Sequence, residues 1–114
     1  GCAYCLYKHE GRCCEIFEEY FNTKFTKIRP DWLYGLELDG FSKELMVAFE
    51  YNGVHHYEYK SYFHRNGPED LDVIIEKDNL KNDICNQLDI KLYTIPYTIY
   101  YDDLEEYIHK LISI

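Results

Sequence analysis

The stretch Leu36–Gly53, LELDGFSKELMVAFEYNG, decides the fold. Read outward to Asp31, it predicts a strand with Tyr34, Leu36 and Leu38 on one face and Gly35, Glu37 and Asp39 on the other. A turn around Gly40 to Lys43 comes next. ELMVAFEY then alternates again, setting Leu45, Val47 and Phe49 against Met46, Ala48 and Glu50. Asn52-Gly53 is a strong hairpin signal, because both residues accept the positive φ of a tight turn. A third antiparallel strand is therefore expected from Val54 to Tyr59.

On the amino-terminal side, Cys13, Ile16, Phe17, Tyr20 and Phe21 keep helical spacing, predicting an amphipathic helix that ends near Asn22. The first dozen residues look compositionally separate from the rest of the chain. Residues 23–31, TKFTKIRPD, read as a connector stopped by Pro30. Beyond the meander, a helix is expected from about Glu69 to Leu88. On its wheel Leu71, Ile74, Ile75, Leu80, Ile84, Cys85 and Leu88 form the apolar arc. Lys81 falls near the middle of that arc, with Lys77 and Asp78 also inside it. Ile90 to Ile95 reads as a buried strand ended by Pro96. Asp102 or Asp103 then caps a last helix striped with Leu104, Tyr107, Ile108 and Leu111. The order is helix, three-stranded antiparallel meander, helix, strand, helix. That is an α/β (α+β) chain whose mixed sheet is flanked by helices, with the last strand free to lie parallel to a neighbour.

The 114 residues fit one core, and an apolar fraction of 46% is too high for a disordered chain. No apolar run approaches the roughly 18 residues of a membrane span, so no membrane partner is expected. The net charge of −9 works against broad nucleic-acid binding, leaving two short basic clusters, Lys24/Lys27/Arg29 and Lys60/His64/Arg65, which otherwise read as solvated surface. The chain opens GCAYC with neither an initiator Met nor a signal-peptide pattern, as a processed product or a fragment of a longer protein would. Five cysteines without a signal fit a reducing, intracellular compartment rather than secretion.

Some residue types carry chemistry. Glu37 and Asp39 end one strand and Glu50 ends the next, so their carboxylates can meet at one end of the sheet and hold Mg(II) or Mn(II), hard ions that prefer oxygen. His56 stands across the hairpin, with an ordinary pKa near ~6.5 that suits proton transfer. His55 points to the opposite face. The bland readings are solvated turn carboxylates, a hydrogen-bonded histidine and snorkelling lysines. At the amino terminus Cys2, Cys5, His9 and Cys13 or Cys14 supply the N/S donors that tetrahedral Zn(II) takes. That set reads as a complete zinc site, the remnant of one truncated upstream, or free thiols. If it binds zinc, this short piece could be a DNA-contacting appendage.

LELDGFSKELMVAFEYNGVHHY resembles the core motif of small PD-(D/E)xK nucleases, relatives of very-short-patch-repair and some homing endonucleases, found in phages and large DNA viruses. In that group an Asp is followed about eleven residues later by a Glu inside a pattern of the type EYxGxQHY. Asp39 and Glu50 match it. KDNLKNDICNQLDIKLYTIPY resembles the group's next helix and strand, and RPDWL precedes the motif. The likeness covers most of residues 13–114, so the resemblance implies an endonuclease-like domain with a restriction-endonuclease-like core there, and a separate Cys/His segment over residues 1–12. It further implies that Asp39 and Glu50 are metal ligands, Glu37 an accessory carboxylate, Asp31 a second-choice ligand and His56 the motif histidine. Asn52 stands where the superfamily has its lysine, which makes Lys81, with Lys77 as accessory, the candidate for a relocated one. His55 replaces the common Gln. A first-helix Glu of the group would fall near Glu10 or Cys13.

The expected function is metal-dependent hydrolysis of DNA, with a homodimer as the assembly that would permit double-strand cutting. Two alternatives stand beside it. One is a catalytically inactive nucleic-acid-binding domain on the same scaffold, suggested by Asn52 and the net charge. The other is a protein-interaction domain using the 13 tyrosines.

Overall fold

The structure, a computed structural model, describes residues 3–52 and 69–114, with side chains described for 8–52 and 72–114. Its elements are α1 (Ala3–Phe21), β1 (Thr26–Ile28), β2 (Leu38–Ser42), β3 (Val47–Asn52), α2 (Glu69–Gln87), β4 (Lys91–Pro96) and α3 (Leu104–Ser113). Short 3-10 turns occupy Asp31–Leu33 and Tyr101–Asp103. The chain is an α+β fold with a four-stranded mixed sheet ordered β1-β2-β3-β4. β1, β2 and β3 pair antiparallel, and β4 lies parallel to β3 along its whole length, from Val47 beside Lys91 to Asn52 beside Pro96. A parallel neighbour requires a crossover, which α2 spans.

Each face of the sheet has its own apolar cluster. Towards α1 and α3, Phe17 stacks on Phe49 with ring centroids 4.6 Å apart, among Cys13, Ile16, Val47, Tyr93, Ile95, Leu104 and Ile108. Towards α2, Ala48 meets Leu33, Leu38, Cys85 and Ile90. The alternation of β3 thus sends Val47 and Phe49 one way, Ala48 and Glu50 the other, as its sequence predicts.

Several boundaries differ from expectation. The first helix spans Ala3–Phe21 and runs without a break through residue 12, across the apolar-free stretch Lys8 to Arg12 that hid it in the sequence. The strand expected from Asp31 is cut to Leu38–Ser42. Pro30 precedes a 3-10 turn, and Tyr34 and Gly35 take positive φ values of 54° and 77°, which no strand can include. The supposed connector holds β1, whose Thr26 and Ile28 pair with Phe41 and Leu38. Met46 at φ 56° ends the turn before β3, leaving Leu45 and Met46 exposed. Asp103 stands at the α3 N-cap but makes no side-chain capping bond. The strand expected at 54–59 lies outside the described residues.

Candidate functional site

β3 is paired on both sides only as far as Phe49. Its register with β2 runs Ser42–Val47, Phe41–Ala48 and Gly40–Phe49, while β4 accompanies it on to Asn52. Beyond Gly40 the two antiparallel strands part, and the Tyr51 N–H on that side loses a strand partner. Asp39 fills the fork: its Oδ2 accepts from Tyr51 N at 2.8 Å. Gly40 makes this approach feasible, since a Cβ there would stand 2.0 Å from Phe49 Cε1.

Four elements send charged groups to this fork. Glu50 arrives from β3 on the α2 side and is only 6% exposed; Lys81 from α2 is 7% exposed and donates to Glu50 Oε1. The wheel position of Lys81 in an apolar arc is therefore a real burial against a carboxylate, whereas Lys77 is exposed. Glu10 comes from α1. The Lys27 ammonium of β1 lies 2.8 Å from Glu10 Oε1, a close ion pair between a half-exposed lysine and a largely buried carboxylate. Lys27 is also 3.7 Å from Glu37, which Arg29 approaches at 3.2 Å.

The electrostatics follow from this crowding. Burial pushes the Asp39 carboxyl up to about 7 against the pull of the Tyr51 N–H, and the neighbouring Glu10 and Glu50 carboxylates push it the same way. Glu10 foremost, with Glu37 and Asp39, holds the Lys27 ammonium above its ordinary range against desolvation. Glu10 and Glu50 thus both lie in electrostatic reach of the Asp39 carboxyl. Among the described residues no three His, Cys, Asp or Glu side chains converge tightly enough to enclose a metal by themselves. Mg(II) needs only one or two carboxylates, keeping waters and substrate oxygens for the rest.

The remaining candidates are scattered. Asp31 is exposed in its 3-10 turn, and Asn52 is buried at the end of β3 opposite Pro96. His56 and His55 lie outside the described residues, as does Cys2; of Cys5 only the backbone is described. His9 stacks on Tyr51 with centroids 5.5 Å apart and meets Tyr101 edge-on. Cys13 is fully buried in the core, as its place on the helix's apolar stripe predicts, and its thiol is pushed up to about 12 by burial and then by Asp39 and Glu10. Cys14 Sγ donates to Phe25 O. Lys27 was legible only as one of three neighbouring cations, and Glu10 only as one of two alternatives. Their spacing from Asp39 is set by tertiary pairing, which no local pattern encodes.

No family model and no solved structure matches the chain. Similar proteins come from viruses. The chain is 33% identical over 97 residues to uncharacterized protein 307L of Invertebrate iridescent virus 6 and 31% identical over 106 residues to uncharacterized protein 033L of Invertebrate iridescent virus 3. These matches take in 75% and 88% of this chain but 48% and 54% of those proteins, so it spans about half their length. To uncharacterized protein 094L of Frog virus 3 (isolate Goorha) it is 40% identical over 111 residues, 92% of this chain and 70% of that protein. With that identity running through most of both chains, this chain belongs to the family of Frog virus 3 protein 094L.

Proposed function

We propose that the chain is a metal-dependent DNA endonuclease with a restriction-endonuclease-like core. The observation that carries the reading is Asp39 at the point where the two antiparallel strands part, in electrostatic reach of Glu50, which the buried Lys81 pairs. Asp39 and Glu50 would hold Mg(II) or Mn(II), with Glu10 as a further carboxylate beside Asp39. The ion would supply water activation and neutralise charge building on the phosphate. The Tyr51 N–H fixes one oxygen of the Asp39 carboxyl and so holds the group beside Glu10. Lys81 donates to Glu50 Oε1 in a buried setting and would set a cation near the phosphate. His56, on the resemblance, moves the proton.

A non-catalytic nucleic-acid-binding domain is the second reading, favoured by Asn52, which is buried where the superfamily lysine would stand. Cleavage of plasmid or branched DNA with Mg(II) or Mn(II) separates the two. The endonuclease reading expects cleavage that chelator and Glu50→Gln both abolish while the circular dichroism spectrum is kept. Salt-dependent DNA binding with no cleavage under either metal would favour the second reading. Absence of both would leave the tyrosine-rich interaction domain.

A further inference from the structure

We propose that a cleft at the β1–β2 edge of the sheet binds an unpaired DNA strand, with a nucleobase stacked on Trp32 and the flanking phosphates on Lys24 and Lys43. This rests on DNA being the partner, as in the reading above. The cleft has a volume of about 450 Å³, within the roughly 300–1,000 Å³ of small-ligand sites, and Trp32, Phe41, Lys24 and Lys43 are among its walls. Trp32, the chain's one tryptophan, is 40% exposed, although an indole is ordinarily well buried. Fully buried Leu33 anchors the 3-10 turn that carries it outward. Its ring meets Phe41 at 6.0 Å and 63°, an edge contact that braces the indole without covering it face to face.

Charge selects the occupant. Among the described side chains, Arg12, Lys27, Arg29, Lys81 and Lys110 face carboxylates, and Lys8 and Lys91 lie over tyrosine rings. Lys24, Lys43 and Lys77 have neither kind of partner, and two of these three flank the cleft. The basic cluster of Lys24, Lys27 and Arg29 thus divides, Glu10 and Glu37 answering the last two and Lys24 being left to the cleft. Glu44 also borders it, and the Thr23 hydroxyl donates to Glu44 Oε2 at 3.3 Å; two lysines against one glutamate leave a local charge of +1 in a chain of −9. An open indole between two unspent ammonium groups suits an anion with a flat apolar part. A nucleotide is both, since its base offers a π-face and its phosphates attract lysine. In a duplex that face is covered by neighbouring bases, so an unpaired strand is the form that fits. Phe41 lies two residues, about 7 Å, along β2 from Asp39, which brings the cleft within a few nucleotides of a phosphate at the fork.

Because Trp32 is the sole tryptophan, its emission reads the cleft directly. The probe is a single-stranded oligothymidylate titrated into the full chain in chelator, so that no cleavage intervenes, alongside anisotropy of the same strand carrying a fluorophore. Saturable quenching of Trp32 should track the anisotropy. Lys24→Gln combined with Lys43→Gln should weaken binding and reduce the slope of log affinity against log salt by about 1.4, the share of two phosphates on a single strand. Trp32→Ala should weaken binding roughly tenfold, with the circular dichroism spectrum kept. Binding without quenching, an unchanged salt slope in the lysine variant, or no single-strand binding by a protein that cleaves duplex DNA overturns the cleft and leaves the endonuclease reading in place. Quenching with no cleavage under Mg(II) or Mn(II) supports the cleft and overturns the endonuclease reading. Neither binding nor cleavage overturns both.

Discussion

The Tyr51 main-chain N–H donates to Asp39 Oδ2 at 2.8 Å, so one side chain both closes a backbone gap and faces two other carboxylates. The two roles pull apart when the residue is changed. Asp39→Asn keeps an acceptor for the N–H and removes the charge; Asp39→Ala leaves the N–H without its partner, at a cost of about 1–3 kcal/mol.

The charge makes the metal-free protein pH-sensitive. Asp39 is raised from 3.8 to about 7, so the folded chain holds a proton that the unfolded chain has lost. The stabilisation this proton represents is complete below pH 4 and is lost as the pH rises through 7, at up to about 1.4 kcal/mol per pH unit. Urea unfolding in chelator at pH 5 and pH 8 should show the wild type weakening, and Asp39→Asn weakening less. Equal pH slopes for the two proteins would contradict this.

Lys81 and Glu50 should behave as a buried pair. Lys81→Met removes the ammonium beside a 6%-exposed carboxylate and should destabilise by about 3 kcal/mol. Adding Glu50→Leu should recover most of that loss, because the desolvation of both charges disappears with them. A double variant as weak as the sum of the two singles, measured by chemical denaturation, would count against coupling.

Gly40→Ala tests the close approach of β2 to β3. The added methyl meets the Phe49 ring, itself stacked on Phe17 in the core, so relief by ring movement is blocked. A loss of roughly 1–3 kcal/mol is expected in thermal or urea unfolding. A change below about 0.5 kcal/mol, the ordinary size of a surface effect, would show that the ring can yield.

Cys13 should be silent to alkylation in the folded state. Its thiol, raised to about 12 by burial first, stays protonated where an unfolded cysteine ionises near 9. Stability tied to that thiol is therefore present below pH 9 and lost between about 9 and 12. Mass spectrometry after iodoacetamide at pH 8 should find Cys13 unmodified until denaturant is added.

The parts of the fold legible in the sequence are those where one period ran unbroken. The alternation of Val47, Ala48, Phe49 and Glu50 sorted β3 into its two faces, whereas the α2 wheel placed Lys81 and Cys85 inward correctly but not Ile75, Leu80 and Leu88, which are exposed. The parts that were not legible turn on single backbone angles or on pairing between distant segments. Tyr34 adopts a left-handed conformation with an aromatic side chain, which no propensity anticipates, and that turn is what shortens β2. β1 has only three residues and is a strand because Phe41 and Leu38 pair with it. Glu10 belongs near Asp39 because α1 crosses the sheet at that point, a relationship with no trace in spacing along the chain.

The outer strands of the described sheet have a further consequence, for how copies of this chain behave at high concentration. An open strand edge is a template on which another copy can add its own backbone. Here one edge, β1, is three residues long and carries Lys27, and the other, β4, starts at exposed Lys91 and ends at Pro96, which has no N–H to offer. Short length, charge and proline are the devices that discourage edge-to-edge growth. The lysine that stands beside Glu10 thereby also guards the sheet against aggregation, and neutralising it should make the chain less tolerant of concentration even where its fold is unchanged.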